Sequence, residues 1–597
     1  MTSRKRSSIR VGGASGYWGE SDMALPQLLA AGNIDYFVFD YLAEVTMSIM
    51  ARARAADPAQ GFATDFVSGV LKPNISQIAA SGAKVISNAG GVNPEACGAA
   101  ARAVIEAAGL SLRVAVVTGD NLMANLGDFA DCKAMDTGAS LPDVAKVVSA
   151  NAYLGAYPIA EALDRGADIV ITGRCVDSAV TLGACIHAFG WTRQDHDKLA
   201  GGSLAGHIIE CGPQATGGNY TDWQTVAERI DEIGYPIAEI YPDGSFDLTK
   251  PENTGGTATV ASVGEQMLYE IGDPQAYFLP DVVCDFSDVT LRQVGADRVN
   301  VAGARGRPAT DTYKVSLTWN DGWRAGSLWF FVGEGASKKA RAFGEGAVSR
   351  ARRKLKAMGA PDFDEVLIET FGDESHYGDF ARRSNAREVT LKIAAKHQDA
   401  RAIGLLLKET NGIALASPPG LTLFAGARPK PSPVVRLFSF LADKTRVPIS
   451  LEIDGEHFSL GHEQGRKFEG PGSDRPVPQS ASGSDLVEVP LAQLANVRSG
   501  DKGNNANIGV LPRQAEYAPW IWQALTEKAV AERFSHFLKG KVERFYLPGT
   551  SAINFLLHDV LGGGGIASLR NDPQGKTYGQ VLLQTPIAIP ASLIKVR

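Results

Sequence analysis

Between residue 8 and about residue 190 the chain alternates two patterns of apolar and polar positions. The short runs "SIRVGGA", "YFVFDYLA", "KVISNAGG", "RVAVVTGDN" and "ADIVITGR" are rich in β-branched residues and bounded by small polar ones, so they read as buried strands. Ala- and Leu-rich stretches of helical spacing lie among them, including "DMALPQLLAAG", "NPEACGAAARAVIEAAG" and "AYPIAEALDRG". Such alternation implies βαβ units and a mostly parallel sheet. Each strand ends in a small polar cluster: Gly12 and Gly13, then Asp40, then Asn88 with Gly90 and Gly91, then Asp120 with Asn121, then Arg174. Ligands of open α/β sheets sit beyond the carboxyl ends of the strands, so these clusters are expected to face one cleft.

The pattern changes after residue 200. Gly- and Thr-rich stretches with turn signals, "GSLAGHIIECGPQATGGNYTDW" and "LTKPENTGGTATVASVGEQMLYEIG", predict a β-rich elaboration over 200–330, with "GHIIECG" as a strand. A long basic helix, "SKKARAFGEGAVSRARRKLKAMG", followed by strand patterns predicts an α+β layer over 335–455, its basic face turned to solvent. Residues 461–486 are rich in Pro, Gly and Ser without apolar periodicity and read as a linker. The remainder, 487–597, has strands and helices in the proportions of a ferredoxin-like α+β module. The expected organisation is a large α/β domain over 8–460, the linker, and a small C-terminal domain.

Composition narrows the function. A chain of 597 residues exceeds one ordinary core, and 44% hydrophobic with 21% charged residues is that of a globular protein. A net charge of −7 gives no attraction to nucleic acid or to anionic membranes. The six cysteines lack C-x-x-C spacing and read as reduced thiols, and no apolar run suits an export signal or a membrane span, so a cytoplasmic protein is expected. The 65 glycines call for many tight turns.

The glycines of "VGGASGYWGES" stand at 12, 13, 16 and 19, which is not the dinucleotide fingerprint, and neither a P-loop nor a G-x-S-x-G elbow occurs. The turn suits contact with substrate or a plain strand-to-helix connection. Catalytic candidates are Asp120, Arg174 and Asp177 at strand ends, and Glu210, where burial would raise a carboxyl pKa and equip it for acid–base work. Helix capping explains Asp120 or Asp177 equally well, and Arg174 with Asp177 can pair internally. On a strand His207 and Glu210 would point to opposite faces, so no metal site is expected. Binding candidates are Gly12, Gly13, Asn88, Gly90, Gly91, Asn121, Ser178, Asn219, Lys250 and Asn253. The loop "NVRSGDKGNNANIGV" adds Asp501, Lys502, Asn504 and Asn505, whose amides, backbone N–H groups and ammonium could cradle an anion or simply form a turn.

Taken together, "RVGGASGYWGES", "VISNAGGVNPEACG", "VVTGDN", "ITGRCVDSA", "ECGPQATGG", "KPENTGGT", "NVRSGDKGNNANIGV" and "LPGTSAINFLL" resemble the acyclic terpene utilisation AtuA family over nearly the whole chain. The resemblance implies an AtuA domain to about 455 and a smaller ferredoxin-fold domain after the linker. It further implies catabolism of acyclic terpenes or related branched acids through acyl-CoA thioesters. The expectation is a hydratase or lyase acting on an acyl-CoA thioester or carboxylate, with CoA entering only as part of the substrate. Arg174 and Lys502 would bind the anion, and Asn88, Asn121 and N–H groups near Gly90 would hold the oxyanion. The alternatives are a non-catalytic ligand-binding or assembly subunit and a metal-dependent hydrolase. The Trp-containing helix "YAPWIWQALTEKAVAERF" offers a face for self-association, and a homo-oligomer is expected.

Overall fold

The five strand-like runs near the N-terminus form five adjacent parallel strands, Ile9–Gly13, Tyr36–Phe39, Lys84–Ser87, Val114–Thr118 and Ile169–Thr172. The last inserts between the third and the fourth. The computed structural model describes residues 6–382, 385–424, 426, 428–461, 465–468, 470 and 474–594. Four of the five strands feed two cores, and Ile9–Gly13 feeds one through Ile9 and Val11. Tyr36 and Val38 enter one with helix His196–Ile209, while Phe37 and Phe39 enter the other with helices Ala24–Ala31 and Pro94–Ala107. Burial on both faces is why these strands read as continuous apolar runs.

Antiparallel strands extend the sheet on both sides to eleven. Ile237–Ile240 pairs with the first parallel strand, and Ile449–Ile453 pairs with Val114–Thr118. The sheet is thus parallel at its centre, and its flanks come from hairpins later in the chain. A second sheet is organised by the 21-residue strand Thr312–Val332, which pairs with Glu388–His397, Ser432–Asp443 and Val147–Ala152. Helices Ala336–Ala357 and Ala400–Gly412 cover it through Phe343, Ile403 and Leu406.

The stretch "GHIIECG" corrects the strand expected there. Its first four residues, 206–209, end helix His196–Ile209, in which every residue from Leu199 onward is buried, and Glu210 caps that helix. A helix buried all round shows no polar face and hence no visible helical period. Its glycines permit close packing: a β-carbon on Gly206 would stand 2.8 Å from the Ser178 Cα.

The small domain is a four-stranded antiparallel sheet ordered Ala495–Lys502, Asn505–Pro512, Ala552–Leu557, Val542–Leu547. Its core holds Val497, Ile508, Trp520, Phe534, Phe555 and Tyr578, so Trp520 packs inward. Of the expected linker, 462–464, 469 and 471–473 lie outside the described residues, and 474–485 contains no helix or strand. Among the described residues no helix is long and apolar enough to cross a membrane.

Candidate active site

The candidate site begins where the strand Ile169–Thr172 ends. Asp120, buried, accepts the Arg174 backbone N–H at 2.9 Å and the Asn151 amide at 2.7 Å through one oxygen, which fixes the turn. Burial pushes its carboxyl up to about 6. Arg174, 3% exposed, donates to Asp177 at 2.6 Å and to the Cys175 carbonyl at 2.8 Å. Its guanidinium lies 4.1 Å over the Tyr153 ring, and the Tyr153 hydroxyl donates to Glu44 at 2.6 Å. Asp40, at the end of the second strand, accepts from the Asn88 amide, while Asn88 Oδ1 accepts the Tyr41 N–H at 2.8 Å. Burial and then the charge of Asp177 push the Asp40 carboxyl well above the usual range.

Glu210 follows helix His196–Ile209 and is 9% exposed. Its pKa is raised well above the usual range by burial, then by the charges of Asp177 and Glu270, against the opposing pull of Lys502 and Arg174. On the same helical face His207 brings Nδ1 to 3.2 Å from Glu210 Oε1. Burial lowers the imidazole to about 4, so it is neutral at neutral pH. Glu270 is raised to about 7 by burial, with Lys502 lowering and Asp177 raising it. Asp501 is pushed well above the usual range by burial and then by Glu270 and Glu44. The Lys502 ammonium lies 5.3 Å over the Tyr277 ring. Lys576 touches the Tyr269 hydroxyl and lies 3.4 Å from Glu270 and 3.5 Å from Asp501; burial lowers it to about 8. Burial and mutual repulsion raise the carboxyls of Asp40, Glu210, Glu270 and Asp501, and the cations among them offer anchors for an anion.

The site is built by both domains. Asn496 donates to Glu265 at 3.0 Å, Thr221 exchanges two hydrogen bonds with the Val497 backbone, and Arg498 donates to the Asn219 carbonyl at 3.1 Å and to the Gln214 side chain. The stretches "ECGPQATGGNY" and "NVRSGDKGN", far apart in sequence, therefore lie against each other. Residues 9–453 match the family model described as acyclic terpene utilisation family protein AtuA, and residues 489–588 match the AtuA ferredoxin-like domain. The chain belongs to the AtuA family. The role this family carries is acyclic terpene utilisation. No curated protein and no solved structure matches it.

In this AtuA-family chain the candidates Asp177, Arg174, Glu210, Asp501 and Lys502 come together. Others serve the scaffold. Gly12 packs on Leu28, and a β-carbon on Gly13 would stand 2.6 Å from the Ile209 carbonyl, so this glycine lets the helix carrying Glu210 approach. The Gly90 N–H donates to the Thr172 carbonyl at 3.1 Å, Gly91 turns the chain at φ 55, and Ser178 is buried against Gly206. The Asn88 amide is spent on Asp40 and Tyr41, and Asn121, exposed, accepts the Met123 N–H at 3.0 Å, so neither faces an oxyanion here. Asn219 and Asn253 are exposed turn residues at φ 52 and 60, and Lys250 is held by Asp297 at 3.3 Å and the Thr254 carbonyl at 3.1 Å. Asn504 donates to Asp559 at 2.6 Å and Asn505 accepts the Asp559 N–H at 3.0 Å, which fixes the hairpin turn.

Sequence reasoning missed Glu270 and Lys576 as members of the site. Neither sits at a strand end, and only the folded contact of the two domains brings them in. His207 was legible only once its helix was known. Among the described residues no three His, Cys, Asp or Glu side chains are grouped to hold a metal ion.

Proposed function

We propose that this AtuA-family chain is a hydratase or lyase of acyclic terpene or related branched-acid catabolism, acting on an acyl-CoA thioester or carboxylate. The observation that carries the reading is the meeting of Glu210 with Asp177 and Glu270 beside Arg174 and Lys502. Adding water across a Cα–Cβ double bond needs a base to take a proton as the oxygen bonds to Cβ, cations or N–H groups to hold the enolate, and an acid to protonate Cα. Glu210, whose carboxyl is raised by burial and by the neighbouring charges of Asp177 and Glu270, suits the acid. Asp177, held by Arg174, suits the base. Lys502, at the rim, suits a carboxylate, thioester oxygen or phosphate of the substrate.

The test is mass spectrometry of the purified chain incubated with branched unsaturated, hydroxylated and carboxylated acyl-CoA thioesters. Gain or loss of one water supports a hydratase, and a cleaved fragment a lyase. Free CoA without either change would mean thioester hydrolysis. Thioesters returned unchanged, with one of them raising the melting temperature, would make the protein a binding subunit.

A further inference from the structure

Helix Val260–Leu268 ends two residues before Glu270, whose backbone is left-handed at φ 57. A glutamate there carries a cost of about 1 kcal/mol that its surroundings must offset. The surroundings are two fully buried asparagines of the small domain. Asn507 Oδ1 accepts the Glu270 N–H at 2.8 Å, and its amide donates to the Leu268 carbonyl at 2.7 Å and to Asn554 Oδ1 at 2.9 Å. Asn554 in turn donates to the carbonyls of Ile271 at 2.8 Å and Gly272 at 2.6 Å. Both amides are thus spent on residues 268–272 and on each other. The same sheet presents Gly509 to Leu268 and Gly500 to the Tyr269 ring, so closely that a β-carbon at either would collide.

The contact delivers the Glu270 carboxylate toward Lys502, carried by the same hairpin, and to within 3.4 Å of Lys576. We infer that the small domain is part of the reaction centre: Asn507 and Asn554 are positioning residues that hold residues 268–272 so that Glu270 joins the cleft beside Lys502 and Lys576. This rests on the reading of the cleft as the reaction centre.

The test requires no substrate. The full chain is labelled with trace acetic anhydride from about pH 6 to about pH 10, and the titration midpoint of Lys576 is read by peptide mass spectrometry. Glu270→Gln removes a neighbouring anion and is expected to lower that midpoint by about one unit. Asn507→Ala, shown to be folded by circular dichroism, is expected to lower it in the same direction, with no further shift in the double variant. Asn554→Ser takes its place if Asn507→Ala does not fold. A Lys576 midpoint unmoved by Glu270→Gln would remove Glu270 from the cleft. A midpoint moved by Glu270→Gln but not by the asparagine variants would remove the positioning role. With any thioester that is turned over, Asn507→Ala is expected to reduce kcat by about tenfold with KM little changed; an unchanged kcat would leave the small domain outside the chemistry. A chain without turnover but with the labelling shifts would retain the positioning and lose the catalytic reading.

Discussion

Arg513 donates from both terminal nitrogens to the two carboxylate oxygens of Asp222, each over 2.6 Å. The pair is half-buried and crosses from the small domain to the large one. A planar fork on a carboxylate is geometrically specific, and its removal takes away two of the hydrogen bonds that Asp222 accepts from the small domain, beside the one from Asn496. Arg513→Ala is expected to destabilise the chain by about 1–3 kcal/mol in urea unfolding. The small domain should also be released more readily by limited proteolysis.

Glu210→Gln tests the acid. The amide cannot deliver a proton, so turnover of any responsive thioester should fall by about 100-fold or more. The melting temperature should hold or rise, because a neutral group replaces a carboxyl whose ionisation is opposed by Asp177 and Glu270.

The pH dependence of stability has a definite sign. Glu270 is raised in the folded chain from 4.5 to about 7, so the folded state binds more protons than the unfolded state within that window. Its contribution is fully present below about pH 4.5 and is lost as the pH climbs to about 7. Glu270→Gln should therefore gain stability over the parent as the pH rises from about 5 to about 8, by up to about 3 kcal/mol. Chemical denaturation at those two pH values measures it. A gain that shrank with rising pH would refute the raised carboxyl.

Gly500→Ala should act at the domain contact. Its added methyl would stand 3.0 Å from Glu270 Cγ and closer still to the Tyr269 ring. Overpacking of this kind costs about 1–3 kcal/mol. Trp and Tyr fluorescence on urea unfolding should show the loss, whereas Gly503→Ala, in open space but at φ 66, should cost about 1 kcal/mol without moving Lys576.

The parallel centre of the large sheet was legible because its strands are apolar throughout and end in polar turns. Asp177 and Arg174 were legible for the same reason. Helix His196–Ile209 was not: a helix buried on every side loses the polar face on which periodicity depends, and its three glycines imitate a turn-rich segment. The strand-end glycines looked like ligand contacts, yet the same lack of a side chain serves packing between helix and strand. Glu270 gave no local sign, since its meeting with Lys576 depends on Asn507 and Gly500 in a domain that begins more than two hundred residues later.

The segment 474–485, without helix or strand, leads into the domain that completes the cleft. A covalent connection, pinned here by Arg475 on Asp273, keeps the two domains beside each other. Assembly of the cleft is thereby a unimolecular event, indifferent to how dilute the protein is. Were the two halves supplied as separate polypeptides, the contacts of Arg513, Asn507 and Asn554 would have to pay for a bimolecular encounter, and the properties of the cleft would vary with protein concentration.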